Sequence, residues 1–65
     1  MTDTAAPAAP RFRVGQKVSH SNFGIGRIVA VYAIAQAADE ETEYIVKLRG
    51  DRYPATLGEH GLTAA

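Results

Sequence analysis

Arg27-Ile28-Val29-Ala30-Val31-Tyr32-Ala33-Ile34 decides the fold class of this chain. Ile28, Val29, Val31 and Ile34 are β-branched and Tyr32 is aromatic, side chains that fit a pleated, half-buried surface. Five alanines between Ile28 and Ala38 favour a helix, but the β-branched run and the two glycines just upstream, Gly24 and Gly26, make this stretch a strand. Its apolar residues fall on both faces, Ile28, Ala30 and Tyr32 on one and Val29 and Val31 on the other. Either a bulge shifts the inward face, or a second face is buried against a partner.

Upstream, Phe12 and Val14 alternate with Arg11 and Arg13 like a strand, Gly15-Gln16 marks a turn, and Lys17-Val18-Ser19-His20 is a second short strand. Ser21-Asn22 with Gly24 and Gly26 marks a tight turn. Downstream, the acidic segment 35–42 is a hairpin loop, and Glu43 to Leu48 alternates with Tyr44, Val46 and Leu48 inward. Arg49-Gly50-Asp51 is a turn, since Gly tolerates positive φ. Arg52-Tyr53 is expected as a strand ended by Pro54, and Leu57 to Leu62 as one helical or 3₁₀ turn plus a last short strand. Short strands at this spacing predict an all-β fold, a small SH3-like barrel of about five bent antiparallel strands. The expected core is Phe12, Val14, Val18, Phe23, Ile28, Val31, Tyr44, Val46, Leu48, Leu57 and Leu62.

Sixty-five residues make one small domain. Such a chain buries only about 60% of its unfolded surface, so it gains from a partner, and a homo-oligomer is among the expectations. Residues 1–10, rich in Ala and Pro, are expected to be a disordered tail, with the barrel spanning 11–65. The absence of cysteine excludes a disulfide framework and a thiolate zinc site. No run of about 18 apolar residues and no basic, apolar leader is present, so no membrane role and a cytoplasmic location are expected.

The stretch from Val14 to Val31, VGQKVSHSNFGIGRIVAV, resembles the opening of the Tudor-like C-terminal domain of UvrD/PcrA-type helicases, V-G-D-x-V-x-H-x-x-F-G-x-G-x-V-x-x-V. It is also similar to the opening of the polymerase-binding domain of CarD-type transcription factors. Gln16 stands where those families carry Asp. The resemblance implies an SH3/Tudor-like barrel that binds RNA polymerase or another transcription or repair protein. Within it, Gly24 and Gly26 permit the sharp turn, Phe23 plugs the barrel end, and Ile28 and Val31 bracket a bulge. A second likeness, to type II dihydrofolate reductases, rests on strand order and on Tyr53. Asp51-Arg52-Tyr53 keeps only the Tyr of that family's Val-Gln-Ile-Tyr. It implies, as a further alternative, an oligomeric reductase.

Catalytic signals are sparse. His20 and His60 are the only histidines, short of the four ligands of a structural zinc site; His20 reads as a structural side chain of the turn and His60 as exposed. Asp39, Glu40, Glu41 and Glu43 lie together in or beside a loop, where carboxylates are solvated. Ser19, His20 and Ser21 are neighbours, and neighbours on a strand point to opposite faces, which opposes a Ser–His pair. No phosphate-binding glycine loop or dinucleotide motif is present, and no cofactor is expected.

The charges are more informative. From Thr4 to Ala38 the chain holds Arg11, Arg13, Lys17 and Arg27 and no acid. These expectations lead to a non-enzymatic interaction module that binds protein through Val29, Tyr32, Ala33, Ile34 and Ile45. Nucleic-acid binding through Arg13, Lys17, Arg27, Lys47, Arg49 and Arg52 is the alternative.

Overall fold

A computed structural model describes residues 10–65. The tail expected over residues 1–10 lies, apart from Pro10, outside the described residues. Five strands form one antiparallel sheet: β1 (Lys17–His20), β2 (Gly24–Ala33), β3 (Glu43–Leu48), β4 (Ala55–Gly58) and β5 (Leu62–Ala64), with a 3₁₀ turn at Glu59–Gly61. Their order is β4-β3-β2-β1-β5, so the two outermost strands are the two that the 3₁₀ turn joins. In a flat sheet, β4 and β5 would lie four strand spacings apart, about 19 Å. Four residues reach at most about 14 Å. The sheet is therefore rolled until its edges approach. The ladder stays open between β4 and β5, so the expected barrel is a curled sheet and not a closed one.

Strand β2 makes the curl possible. Its register against β3 jumps between Ile28 and Ala30, and again between Val31 and Ala33, leaving Val29 and Tyr32 as extra residues. Each bulge sharpens the local bend. The first also solves the alternation problem. Ile28 and Val31 are an odd number of positions apart, yet Ile28 opposes Val46 and Val31 opposes Tyr44, both on the core side. The bulge thus turns Val31 inward and leaves Val29 exposed.

The inner face buries Phe12, Val18, Ile28, Tyr44, Val46, Leu48, Leu57 and Leu62, with Val31 and Ala55 packed against them. Phe12 and Tyr44 meet edge to face with ring centres 5.5 Å apart. The Tyr44 hydroxyl sits where this core meets polar groups. It accepts the N–H of Arg11 at 3.0 Å and of Phe12 at 3.3 Å, and donates to Glu59 Oε2 at 2.6 Å. Burial first, and then this bond to Glu59, push the Tyr44 hydroxyl above its ordinary pKa.

Three expectations fail here. Phe12 to Val14 is not a strand, and Val14 is exposed, not core. The Gln16 N–H donates to the Arg13 carbonyl at 3.0 Å and Gly15 takes φ 91°, so a tight turn holds Val14 outside. Phe23 does not plug the barrel. It rides at the tip of the β1–β2 hairpin, exposed, with its ring 4.6 Å from that of His20. Arg52-Tyr53 is a bend, and β4 begins only after Pro54, which has no N–H to give the ladder.

Gly24 and Gly26 are both required, for different reasons. Gly24 takes φ 89°, a left-handed conformation that side chains resist. Gly26 has an ordinary backbone, but a Cβ there would stand 2.6 Å from the Lys47 carbonyl oxygen.

Candidate functional site

The outer face of the sheet carries the arrangement most in need of a chemical explanation. Lys17 lies directly opposite Arg27, and Arg27 directly opposite Lys47, so three cations form one row across β1, β2 and β3. Each sits on its strand beside an inward core residue, Val18, Ile28 or Val46, and is turned outward by the period of two. Adjacent strands are about 4.8 Å apart, so the row spans roughly 10 Å. Like charges directly opposite each other destabilise a sheet. Among the described residues, no acid offsets them: the one ion pair joins His60 to Glu41.

The row borders a cleft of about 260 Å³ lined by Lys17, Ile25, Gly26, Arg27, Lys47, Leu48 and Arg49. Arg49 enters it because its N–H donates to the Ile25 carbonyl at 2.8 Å, which ties the end of β3 to the start of β2. Gly26 lets the two strands come this close.

Two of the four cations are fixed by backbone carbonyls. Arg27 Nη1 donates to the Gly15 carbonyl at 3.0 Å. Lys47 Nζ donates to the carbonyls of Leu48 and Asp51. These bonds set the middle and one end of the row in place and leave its positive charge uncompensated. Lys17 and Arg49 are exposed and, among the described residues, have no side-chain partner.

The other two basic residues expected at a nucleic-acid surface flank the row. Arg13 belongs to the 13–16 turn that Arg27 grips through Gly15. Arg52 follows the 48–51 turn that Lys47 grips through Asp51. The structure therefore gathers Lys17, Arg27, Lys47 and Arg49 around one cleft and sets Arg13 and Arg52 in the adjoining turns.

Of the residues expected to bind protein, Val29, Tyr32 and Ala33 belong to the second half of β2, Ile34 follows it and Ile45 lies on β3. Val29, Tyr32, Ala33 and Ile34 are exposed, and Ile45, opposite Ala30, is half-buried. From Ile28 to Ala38 this run has no charged residue.

Three of the six acids among the described residues gather elsewhere. Glu43 opposes Gly58, Glu41 lies over Gly58, and the Glu59 N–H donates to the Thr42 carbonyl, so all three surround the corner where β4 enters the 3₁₀ turn. Not all loop carboxylates are simply solvated, as the sequence suggested. Glu40 accepts the Gln36 N–H at 2.8 Å, and Glu41 accepts the His60 N–H at 2.9 Å. His20, expected as a turn residue, accepts the Asn22 N–H at its Nδ1 at 3.0 Å. No helix among the described residues is long and apolar enough to cross a membrane.

No protein-family model, curated protein or solved structure matches this chain.

Proposed function

We propose that this chain is a non-enzymatic binding module that takes the phosphate backbone of a nucleic acid along the Lys17–Arg27–Lys47 row, with Arg49 in the adjoining cleft. One observation carries this reading: three cations stand directly opposite one another on three neighbouring strands with no acid among them. A fold accepts such self-repulsion at little cost where an anion relieves it. Pinning Arg27 and Lys47 to carbonyls lowers the entropy lost when a phosphate arrives.

Salt dependence tests it. Three or four neutralised phosphates give a log–log slope of binding against salt of about −2 to −3 for single strands and about −3 to −4 for duplex. Lys17→Gln and Arg49→Gln, both at exposed positions, should each reduce that slope by roughly one. A slope near zero, or one that neither substitution alters, rules the reading out.

A second reading, protein binding, is favoured by the uncharged run of β2, where Val29, Tyr32 and Ile34 are exposed together. RNA polymerase or a repair protein is the partner class that the resemblance in residues 14–31 implies. A second copy also suits this surface, because a run without charge meets itself about a two-fold axis without repulsion.

A further inference from the structure

We infer that the ligand of the basic row is single-stranded nucleic acid and that Tyr53 is the platform on which one of its bases stacks, an inference that rests on the row binding phosphate. Tyr53 is 73% exposed, more than any other large apolar side chain described. Among the described residues its ring has no aromatic neighbour, no cation over its face and no hydrogen bond, whereas Phe23 lies against His20 and Tyr44 is spent in the core.

The backbone that carries this exposed ring is nonetheless held in place. Before it, the Asp51 N–H donates to the Leu48 carbonyl at 3.1 Å, Gly50 takes φ 85°, and Lys47 Nζ clamps the same turn through the Asp51 carbonyl. After it, Pro54 fixes its own φ and confines Tyr53 to extended conformations. The chain then enters the sheet at Ala55, opposite Val46. The Tyr53 backbone is thus anchored on both sides within a few residues, and a Tyr side chain, with only two rotatable bonds, loses little entropy when it stacks from such a base.

Its place in the fold adds the ligand. Lys47 Nζ donates to the Asp51 carbonyl, two residues before Tyr53, which places Tyr53 close to the Lys47 end of the row. A backbone laid along Lys17, Arg27 and Lys47 therefore runs on toward Tyr53, with Arg52 next to it. A ring at the end of a phosphate track meets unpaired bases, which have free faces; the faces of duplex bases are already stacked.

The test uses the whole chain and three fluorescent ligands: an oligothymidine of about 12 nucleotides, an abasic strand of the same length and charge, and the matching duplex. Tyr53→Ala should weaken oligothymidine binding about 5- to 100-fold. Tyr53→Phe should keep most of the affinity. Both variants should hold the abasic strand as the parent does and keep the parent's salt slope, since no phosphate contact is lost. The inference is overturned if Tyr53→Ala binds oligothymidine like the parent, or if the duplex binds as tightly as the single strand. If the parent fails to hold even the abasic strand at low salt, the row does not bind phosphate and the platform falls with it. Equal binding of the abasic strand combined with loss at Tyr53→Ala on the thymidine strand is the result that supports it.

Discussion

Tyr44 donates its hydroxyl proton to Glu59 Oε2 across 2.6 Å, and through this bond the core strand β3 is tied to the 3₁₀ turn that joins the two edges of the sheet. The same hydroxyl accepts the N–H groups of Arg11 and Phe12, so one side chain also moors the segment that leads into β1.

The bond has a pH signature. The folded pKa of Tyr44 lies above the unfolded value of about 10, so between the two the folded chain keeps a proton that the unfolded chain releases. Stability from this group is complete below about pH 10 and falls as pH rises through the folded pKa. Melting temperatures across alkaline pH should show this decline in the parent and lose this part of it in Tyr44→Phe. At neutral pH, Tyr44→Phe should cost about 1–3 kcal/mol, because the buried Phe12 N–H loses its acceptor.

Thr42 is a polar residue in a dry place, only 2% exposed, with Oγ1 accepting the Ala35 N–H at 3.1 Å. It closes the β2–β3 loop from within. Thr42→Val keeps the shape and removes the acceptor, so denaturant unfolding should show a loss of about 1–3 kcal/mol. Thr42→Ser, which keeps the oxygen, should lose less.

Gly24→Ala and Gly26→Ala should both destabilise, by different routes. At Gly24 the cost is backbone strain at φ 89°, on the order of 1 kcal/mol or more. At Gly26 the new methyl meets the Lys47 carbonyl and must push β3 outward, costing roughly 1–3 kcal/mol. Because that carbonyl belongs to a residue of the basic row, Gly26→Ala should also weaken oligonucleotide binding, whereas Gly24→Ala should not. Thermal melts and binding isotherms on the two variants check both statements.

The uncharged part of β2 makes a separate prediction about self-association. Sedimentation of the parent should show a coefficient that rises with protein concentration. Val29→Lys combined with Tyr32→Lys, both at exposed positions, should abolish the rise and leave the melting temperature within a few degrees. A parent that stays monomeric at every concentration removes the second copy as the occupant of this face.

Much of this architecture can be read along the chain. The bounds of β1 and β3 follow from alternation and the turns from Gly15, Gly24 and Gly50, whereas the apolar residues on both faces of β2 leave a bulge and a second buried face equally open, and only the register decides for the bulge. Val14 and Phe23 mislead because hydrophobicity registers what a side chain is and not whether a turn carries it beyond the core. Arg52-Tyr53 misleads because a Tyr before Pro favours extended backbone whether or not a neighbouring strand pairs with it. The six candidate basic residues are visible one by one, but their grouping depends on register. Alternation puts Lys17, Arg27 and Lys47 on outward faces; only the pairings Lys17–Arg27 and Arg27–Lys47 align them. The Glu59–Tyr44 and Glu41–His60 contacts have no sequence signal, since they depend on how far the sheet rolls.

The pairing of β5 with β1 has a kinetic consequence. Val18 finds Ala64 and His20 finds Leu62, partners from opposite ends of the described chain. The β1–β2 hairpin is local and fast to form, but this last ladder requires the longest loop in the domain to close. During synthesis, β1 must therefore wait, its outer edge unpaired, until residues 62–64 have left the ribosome. The nascent chain spends that interval with an open strand edge, and it is then that strand-to-strand aggregation threatens this domain most.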